Sequence, residues 1–173
     1  MLRRSHGERI NMGLDLILYK RTKPPIEMSM EEELDNELAY GRKTWGIAGF
    51  FSFRCETADP NNDYEFIVTK QDWDEFIDSL DKLNDPVFRE KVENFIALST
   101  ERNMGMIDDE TFNSFAKDEY DLEAWLDGAL NYDSPYQLGL DWELAAVLKW
   151  FDADPQVQKA FEDGIDVRLV KSY

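Results

Sequence analysis

Acidic side chains are the residues of this chain whose types and spacing most clearly suggest a chemistry. The sequence has 37 Asp and Glu against 19 Lys and Arg, a formal net charge of −18. Positions 56–133 hold 22 acidic and six basic residues, so this stretch alone carries −16. Such a field repels nucleic acids and anionic membranes and attracts basic macromolecules. The charge therefore predicts a basic host or phage protein as partner, with no direct nucleic-acid contact and no membrane.

Two groups of acids in this stretch have the spacing of a binding surface. Eight residues are predicted to contact the partner: Asp74, Asp78, Asp81, Asp85, Glu110, Glu119, Asp121 and Glu123. Carboxylates four positions apart on a helix lie about 6 Å from each other, a spacing comparable with that of phosphates along one DNA strand. A rigid acidic ridge could therefore occupy the channel of a protein that binds nucleic acid with Lys and Arg. An ordinary solvated helix face explains the same pattern.

A smaller basic group offers a different chemistry. Bases cluster at positions 20–23, and Arg42 and Lys43 lie close in sequence to Glu37 and Tyr40. An anion pocket formed by Glu37, Tyr40, Arg42 and Lys43 would suit a phosphorylated metabolite, which gives the hypothesis of a small ligand-binding domain or enzyme. The alternative is that these bases only offset neighbouring acids.

The familiar catalytic arrangements are missing from the sequence. His6 is the only histidine and Cys55 the only cysteine, so neither a histidine-based triad nor a zinc motif can be assembled. Positions 41–46 have the first spacing of a phosphate-binding loop, but Ile47 replaces its lysine. Positions 59–70 begin like an EF-hand, but Tyr64 and Lys70 occupy the glycine and glutamate positions, which favours an Asx-rich turn. The sequence therefore predicts no catalytic residue, no metal and no cofactor.

The sequence also predicts the domain organisation and the location of the protein. Gly7-Glu8 can be encoded by codons resembling a bacterial ribosome-binding site, which predicts that residues 1–11 are a mis-called leader and that Met12 is the native start. Residues 12–173 then form a single globular domain. A lone Cys55 and the lack of a long apolar run predict a cytoplasmic protein.

Hydrophobic periodicity predicts an α+β fold with five to seven helices around a sheet of about three strands. Apolar, β-favouring runs at 14–19, 64–69 and 165–171 are typical of strands, and the two terminal ones are expected to pair. A basic turn is expected at 20–25 and a loop at 58–63.

The helix predictions start from capping signals. A capping box at 29 and 32 predicts a helix through Leu34, Leu38, Ile47 and Phe51, broken near Gly41. Thr69 and Asp85-Pro86 are expected to start two further helices, the second of which buries Val87, Val92, Phe95, Ile96 and Leu98. Weaker helices are expected at 110–117 and 122–130. A central helix buried nearly all round is expected over 140–151, with a short helix at 154–164.

The first half of the chain resembles a set of small phage- and prophage-encoded proteins of unknown function. The similar residues are Gly13-Leu14-Asp15, Tyr19, Glu37, Tyr40, Arg42-Lys43, Ile47 and Phe51. The resemblance covers about residues 12–85 and departs from the pattern at Gly41, where tryptophan is usual, and at Ala48, where histidine is usual. It implies a phage or prophage origin and a cytosolic setting, and it implies no activity.

The leading hypothesis is therefore a non-enzymatic phage or prophage accessory protein that acts by macromolecular binding. Its sharper form is an acidic inhibitor that mimics nucleic acid and blocks a basic host protein. The ligand-binding domain or enzyme described above is the second hypothesis. A structural or assembly component of the phage particle is the third.

Overall fold

The computed structural model describes residues 14–21, 36–42, 44–131 and 139–172. Within these residues the fold is α+β, as predicted, with seven α-helices and one five-stranded antiparallel sheet. The strands are β1 (Asp15–Arg21), β2 (Glu37–Arg42), β3 (Glu56–Asp59), β4 (Asn62–Val68) and β5 (Asp166–Ser172). The helices are α1 (Trp45–Ser52), α2 (Lys70–Ser79), α3 (Pro86–Asn103), α4 (Asp109–Asn113), α5 (Ala116–Leu130), α6 (Leu140–Asp152) and α7 (Asp154–Glu162), with a 3-10 turn at Asp81–Asn84.

The two terminal strands form the centre of the sheet. The strand order is β2-β1-β5-β4-β3, and β1 and β5 pair antiparallel with Leu18 opposite Leu169, which confirms the predicted pairing. Leu16 and Leu18 alternate with less buried neighbours, so one face of the sheet carries the core. The helices pack on this face, since the Cα of Gly41 on β2 lies so close to α6 that an added Cβ would sit 3.2 Å from Ala146 Cβ.

The expectation of about three strands is wrong, because the sheet gains β2 and β3 in addition. Residues 37–42 were expected in a helix, but they pair with β1, with Tyr40 opposite Ile17 and Arg42 opposite Asp15. Long-range pairing outweighs the helix propensity of Glu-Leu-Ala there. The expected capping box at 29 and 32 and most of the basic turn lie outside the described residues. Only Lys20 and Arg21 of that turn are described, and both belong to β1.

The 58–63 loop is the tight turn of a β3–β4 hairpin. The Asn61 amide donates to Asp59 Oδ1 over 2.9 Å, which is the Asx-turn geometry expected there. Short flanking strands extend the hairpin on both sides, so β3 begins at Glu56. A four-residue edge strand without strict alternation leaves no strong signal in the sequence.

Both predicted helix starts next to the acidic stretch are confirmed. Thr69 and Asp72 form a reciprocal capping box at the start of α2. The Asp85 carboxylate accepts a hydrogen bond from the Val87 amide, and Pro86 is in the first turn of α3. These caps fix where the acidic helices begin.

Two expectations about burial are wrong. Val87 is 76% exposed and Phe88 is buried in its place, because the buried stripe of α3 runs through Phe88, Val92 and Phe95 at helical spacing. Trp142 is 43% exposed, so the α6 helix is buried on one side and not nearly all round. Its inner side carries Leu144, Val147 and Trp150.

The predicted weak helices are present with shifted bounds. The first is the single-turn α4, and the second begins at Ala116 and runs to Leu130 as α5. Glu119, Asp121 and Glu123 therefore lie on one helix. The core also holds an aromatic cluster in which Phe51 of α1 stacks on Trp73 of α2 with ring centroids 6.2 Å apart.

Candidate functional site

The acids predicted around α2 do not form one helical ridge. The α2 helix ends at Ser79, so Asp81 lies on the 3-10 turn and Asp85 is the cap of α3. Asp81 accepts a hydrogen bond from the Asn84 side chain at 3.0 Å. Asp74, described next, also accepts hydrogen bonds within the fold. Three of the four carboxylates, those of Asp74, Asp81 and Asp85, therefore stabilise the structure.

Asp74 belongs to a contact between α2 and α7. Its carboxylate accepts hydrogen bonds from Lys70 Nζ at 2.6 Å and from Gln158 Nε2 at 2.7 Å. These two donors lower the pKa of Asp74. Among the predicted residues on α5, Asp121 is likewise paired, since its carboxylate lies 3.5 Å from Lys91 Nζ.

The other four predicted residues are Asp78, Glu110, Glu119 and Glu123. None of them makes a hydrogen bond or an ion pair with another described residue. Asp78 and Glu110 are exposed, whereas Glu119 and Glu123 are half-buried. Glu101 on α3 is likewise half-buried without a hydrogen bond or ion pair to a described residue, so partial burial alone does not single out Glu119 and Glu123.

Glu119 and Glu123 line a cleft of about 270 Å³ enclosed by four helices. Its walls come from α3, α4, α5 and the start of α6. The lining residues are Phe95, Ser99, Arg102, Asn103, Phe112, Glu119, Glu123, Gly139, Leu140 and Asp141. We call this site the acid-lined cleft.

The one base in the acid-lined cleft is engaged elsewhere. Arg102 Nε lies 3.0 Å from Asp109 Oδ1, and its guanidinium carbon sits 4.4 Å from the centroid of the Phe112 ring. Asp141 accepts a weak hydrogen bond from the Asn103 side chain at 3.4 Å. No cation among the residues that the structure describes therefore neutralises Glu119 or Glu123.

Ser99 adds a buried polar group to the same cleft. Its exposed fraction is 6%, and its hydroxyl has no hydrogen-bond partner in the described part of the chain. The following residue shows what is ordinary on this helix, because the Thr100 hydroxyl donates to the Ile96 carbonyl at 3.0 Å. The Ser99 hydroxyl is therefore available to water or to a polar group that enters the cleft.

Exposed apolar side chains flank the acid-lined cleft in sequence. Met104 and Met106 lie one and three positions after Asn103 and are 69% and 66% exposed. Tyr120 lies between the two unpaired glutamates on α5 and is 72% exposed. Aromatic residues and methionine are enriched in protein interfaces. The exposed apolar side chains beside the cleft therefore suit a macromolecular ligand better than a small one.

The predicted anion pocket is described only in part. Tyr40 and Arg42 lie on β2, an edge strand, and Lys43 is outside the described residues. Arg42 Nε lies 4.0 Å from Asp15 Oδ1 and its guanidinium carbon 5.9 Å from the Trp142 ring. Burial, and secondarily a hydrogen bond to Asp15, raises the pKa of Tyr40. Arg42 and Tyr40 are thus already partnered by Asp15, while Glu37 is exposed opposite Tyr19.

Two other titratable groups are held in their neutral form. The Tyr19 hydroxyl donates to Glu65, and burial together with that hydrogen bond raises the pKa of Tyr19 well above its ordinary value. Burial, then Asp72, raises the pKa of the Cys55 thiol. Cys55 donates to Asp72 Oδ2 at 3.4 Å, and a thiol with a raised pKa has little of the reactive thiolate form.

Glu143 is a half-buried acid that the sequence analysis did not single out. Its Oε1 accepts the Gly46 amide at 2.5 Å, at the first turn of α1. Burial raises the pKa of Glu143, the Gly46 hydrogen bond opposes this, and nearby Asp127 adds to it. Glu143 acts as a cap supplied from another helix.

No group of three or more His, Cys, Asp or Glu among the described residues could hold a metal ion. None of the described helices has the combined length and apolar character that crossing a bilayer requires.

Comparisons with known proteins leave the assignment to the geometry. No protein-family model matches the chain, and neither the curated proteins nor the solved structures gave a match. The resemblance of residues 12–85 to phage proteins therefore stays a prediction.

Sequence reasoning missed Ser99, Asp141 and Arg102 in the cleft. For Ser99 a signal existed, because it stands seven positions after Val92 and four after Phe95 on the core-facing stripe of α3. A serine on such a stripe is a polar group that must find a partner. Asp141 and Arg102 could not be placed, since their meeting depends on how α3 and α6 pack.

Proposed function

We propose that the protein is a non-enzymatic binding protein whose acidic helical side engages a basic protein partner. The single observation that carries this proposal is the acid-lined cleft, where Glu119 and Glu123 are half-buried and no base of the described part of the chain is paired with them. A protein gains stability by pairing such groups internally, so leaving them unpaired favours an external cation.

The charge distribution around the cleft supports the same proposal. The bases of this region are largely used internally: Lys70 pairs with Asp74, and Lys91 lies 3.4 Å from Asp118. Arg89 makes a bidentate contact with Asp152, with nitrogen–oxygen distances of 2.6 and 2.7 Å. The remaining negative charge is therefore presented to the outside and would steer a basic partner towards the surface.

The finer form of the proposal is competition with nucleic acid in the bacterial cytoplasm. A basic DNA-binding host protein or nuclease presents Lys and Arg to phosphates, and the acidic side offers carboxylates to the same groups. This form is supported by the charge of −16 over residues 56–133 and by the resemblance to phage and prophage proteins. It makes the protein an accessory inhibitor.

The test measures displacement of a labelled DNA duplex from a basic DNA-binding protein. The wild-type chain should release the duplex, and release should weaken as salt is raised, because surface charges are screened over about 8–10 Å at 0.1–0.15 M ionic strength. The triple variant Glu110→Gln, Glu119→Gln, Glu123→Gln should release it poorly.

The matched control removes the same charge from other parts of the surface. Glu37, Glu56 and Glu162 are exposed and lie on β2, β3 and α7. The triple variant with glutamine at these positions should behave as wild type. If the wild-type chain releases no duplex at low salt, or if the two triple variants lose the same activity, the acidic helical side is not the binding surface.

A further inference from the structure

We propose that the acid-lined cleft receives one lysine side chain of the basic partner, whose ammonium group is held by Glu119, Glu123 and the Ser99 hydroxyl. This inference rests on the proposed function and names the group that anchors the partner. It identifies the occupant by chemistry: a primary ammonium on a flexible apolar stem.

The negative side of the site is formed by two glutamates that make no hydrogen bond or ion pair with a described residue. Glu119 and Glu123 are four positions apart on α5, so their carboxylates are neighbours and repel each other. Asp141 from the start of α6 adds a third carboxylate to the lining. Arg102 also lines the cleft, but it is paired with Asp109. A cation from outside therefore reduces the repulsion between the two glutamates without displacing a described partner.

Ser99 is the second, independent indication of a ligand. Ser99 lines the cleft, and only 6% of the residue is exposed. Its hydroxyl makes no hydrogen bond with a described residue. An ammonium donor would satisfy its oxygen lone pairs, while the hydroxyl proton remains available to a glutamate. The acids alone would attract any cation, whereas a contact with Ser99 favours one that enters the cleft.

The apolar lining suits the four-carbon stem of lysine. Phe95 and Phe112 line the cleft with their ring centroids 6.1 Å apart. Long charged side chains bury their methylene groups on such surfaces and keep the charged end among polar groups. A volume of about 270 Å³ leaves room for one side chain.

Ammonium fits this arrangement better than guanidinium. Lysine offers three donors that rotate freely, which matches acceptors arriving from the separate helices α3 and α5. Arginine prefers one carboxylate presented edge-on in a planar, bidentate contact. The Phe112 ring, which would stack with a second guanidinium, is already covered by Arg102. The cleft therefore selects lysine over arginine.

The test uses blocked octalysine and octaarginine peptides with the full chain, with binding followed by calorimetry at constant ionic strength. Octalysine should bind several-fold tighter than octaarginine. The double variant Glu119→Gln, Glu123→Gln should weaken octalysine binding by about tenfold or more, as expected for loss of a partly desolvated charge pair. Ser99→Ala should abolish the preference for lysine while leaving octaarginine binding nearly unchanged.

The control double variant Asp78→Asn, Glu110→Gln removes the same charge from unpaired, exposed acids outside the cleft. It should weaken octalysine binding by about twofold, since exposed pairs contribute little. Melting temperatures of all variants, measured alongside, establish that each is folded. A carbodiimide cross-link, which joins a lysine amine to a carboxyl group with loss of water, should map to Glu119 or Glu123.

The outcomes separate the two proposals. Equal loss in both double variants, or a cross-link only outside the cleft, overturns the lysine anchor while the binding function stands. Failure of the wild-type chain to bind octalysine at all overturns both. Spermidine binding as tightly as octalysine, with the same dependence on Glu119 and Glu123, would make a free polyamine the occupant and overturn the partner's lysine.

Discussion

Two places in this molecule use the same residue type in opposite ways. At the contact between α2 and α7, the carboxylates of Asp74 and Asp154 accept hydrogen bonds from Trp73, Lys70 and Gln158. In the acid-lined cleft, Glu119 and Glu123 accept none from the described residues. Acid content alone therefore does not define the binding surface; the distinction is whether a donor from the same fold has reached the carboxylate.

The difference changes which substitutions are informative. Replacing Asp74, Asp81 and Asp85 removes contacts that hold helices together or start them, so lost binding could reflect lost structure. Replacing Glu119 and Glu123 removes no hydrogen bond or ion pair with a residue that the structure describes. Stability measurements on both groups, from the largest effect to the smallest, test whether the two regions differ as the geometry indicates.

The largest effect is expected for Asp154→Ala. Trp73 is fully buried, and its indole Nε1 donates to Asp154 Oδ1 over 2.8 Å. Without that acceptor a buried N–H is left unsatisfied, so the free energy of unfolding should fall by about 2 kcal/mol. Urea denaturation measures this. The control Asp154→Asn keeps an acceptor oxygen and should lose less than half as much; equal losses would mean that the hydrogen bond is unimportant.

A smaller effect is expected for Asp85→Ala. The carboxylate caps α3 by accepting the Val87 amide at 3.0 Å, and loss of such a cap costs about 1 kcal/mol. The comparison is Asp78→Ala, an exposed acid on α2 without a described partner, which should change the unfolding free energy by less than about 0.5 kcal/mol. Similar values for the two variants in urea would remove the distinction between structural and unpaired acids.

The sequence predicted well what local signals encode. Thr69-Asp72 and Asp85-Pro86 defined two helix starts, and the terminal strands were placed together by their alternating apolar residues. It failed at β2, where Ala39 and Gly41 join a strand because β1 and α6 pack against them. Such pairing depends on distant partners and leaves a weak local pattern.

The candidate site was predictable in its charge and unpredictable in its shape. Glu119 and Glu123 were named from acid clustering, but so were Asp74 and Asp121, which proved to be internally paired. Lys70, four positions before Asp74 on α2, was a local signal for pairing, whereas the contacts of Gln158 with Asp74 and of Lys91 with Asp121 depend on helix packing. The polar stripe position of Ser99 was a second readable signal.

Glu143 tests burial of an acid that does have an internal partner. Burial raises its pKa in the folded state, so the folded protein binds more protons than the unfolded one. Its contribution to stability is then complete below the ordinary glutamate value of about 4.3 and is lost as pH rises through the folded pKa.

The unfolding free energy of Glu143→Gln should therefore depend less on pH than that of the wild type over this range. Glutamine still accepts a hydrogen bond from the Gly46 amide and carries no charge. The measurement is the difference in unfolding free energy between variant and wild type, by urea at a series of pH values from 4 upwards. This difference should grow in favour of the variant as pH increases. A constant difference would show that the carboxylate is not disfavoured by its surroundings.

The smallest effect on stability is expected for Glu119→Gln, Glu123→Gln, and this is the sharpest form of the comparison. The two carboxylates repel each other and pair with no described residue, so their neutralisation should leave the unfolding free energy within about 0.5 kcal/mol of wild type or raise it slightly. Raised salt should shrink any gain, because it screens the repulsion. Paired acids behave oppositely, as in Asp154→Ala. A clear loss of stability at Glu119 and Glu123 would place these residues with Asp74 and Asp154, as part of the fold, and would remove the reason to assign them to a partner.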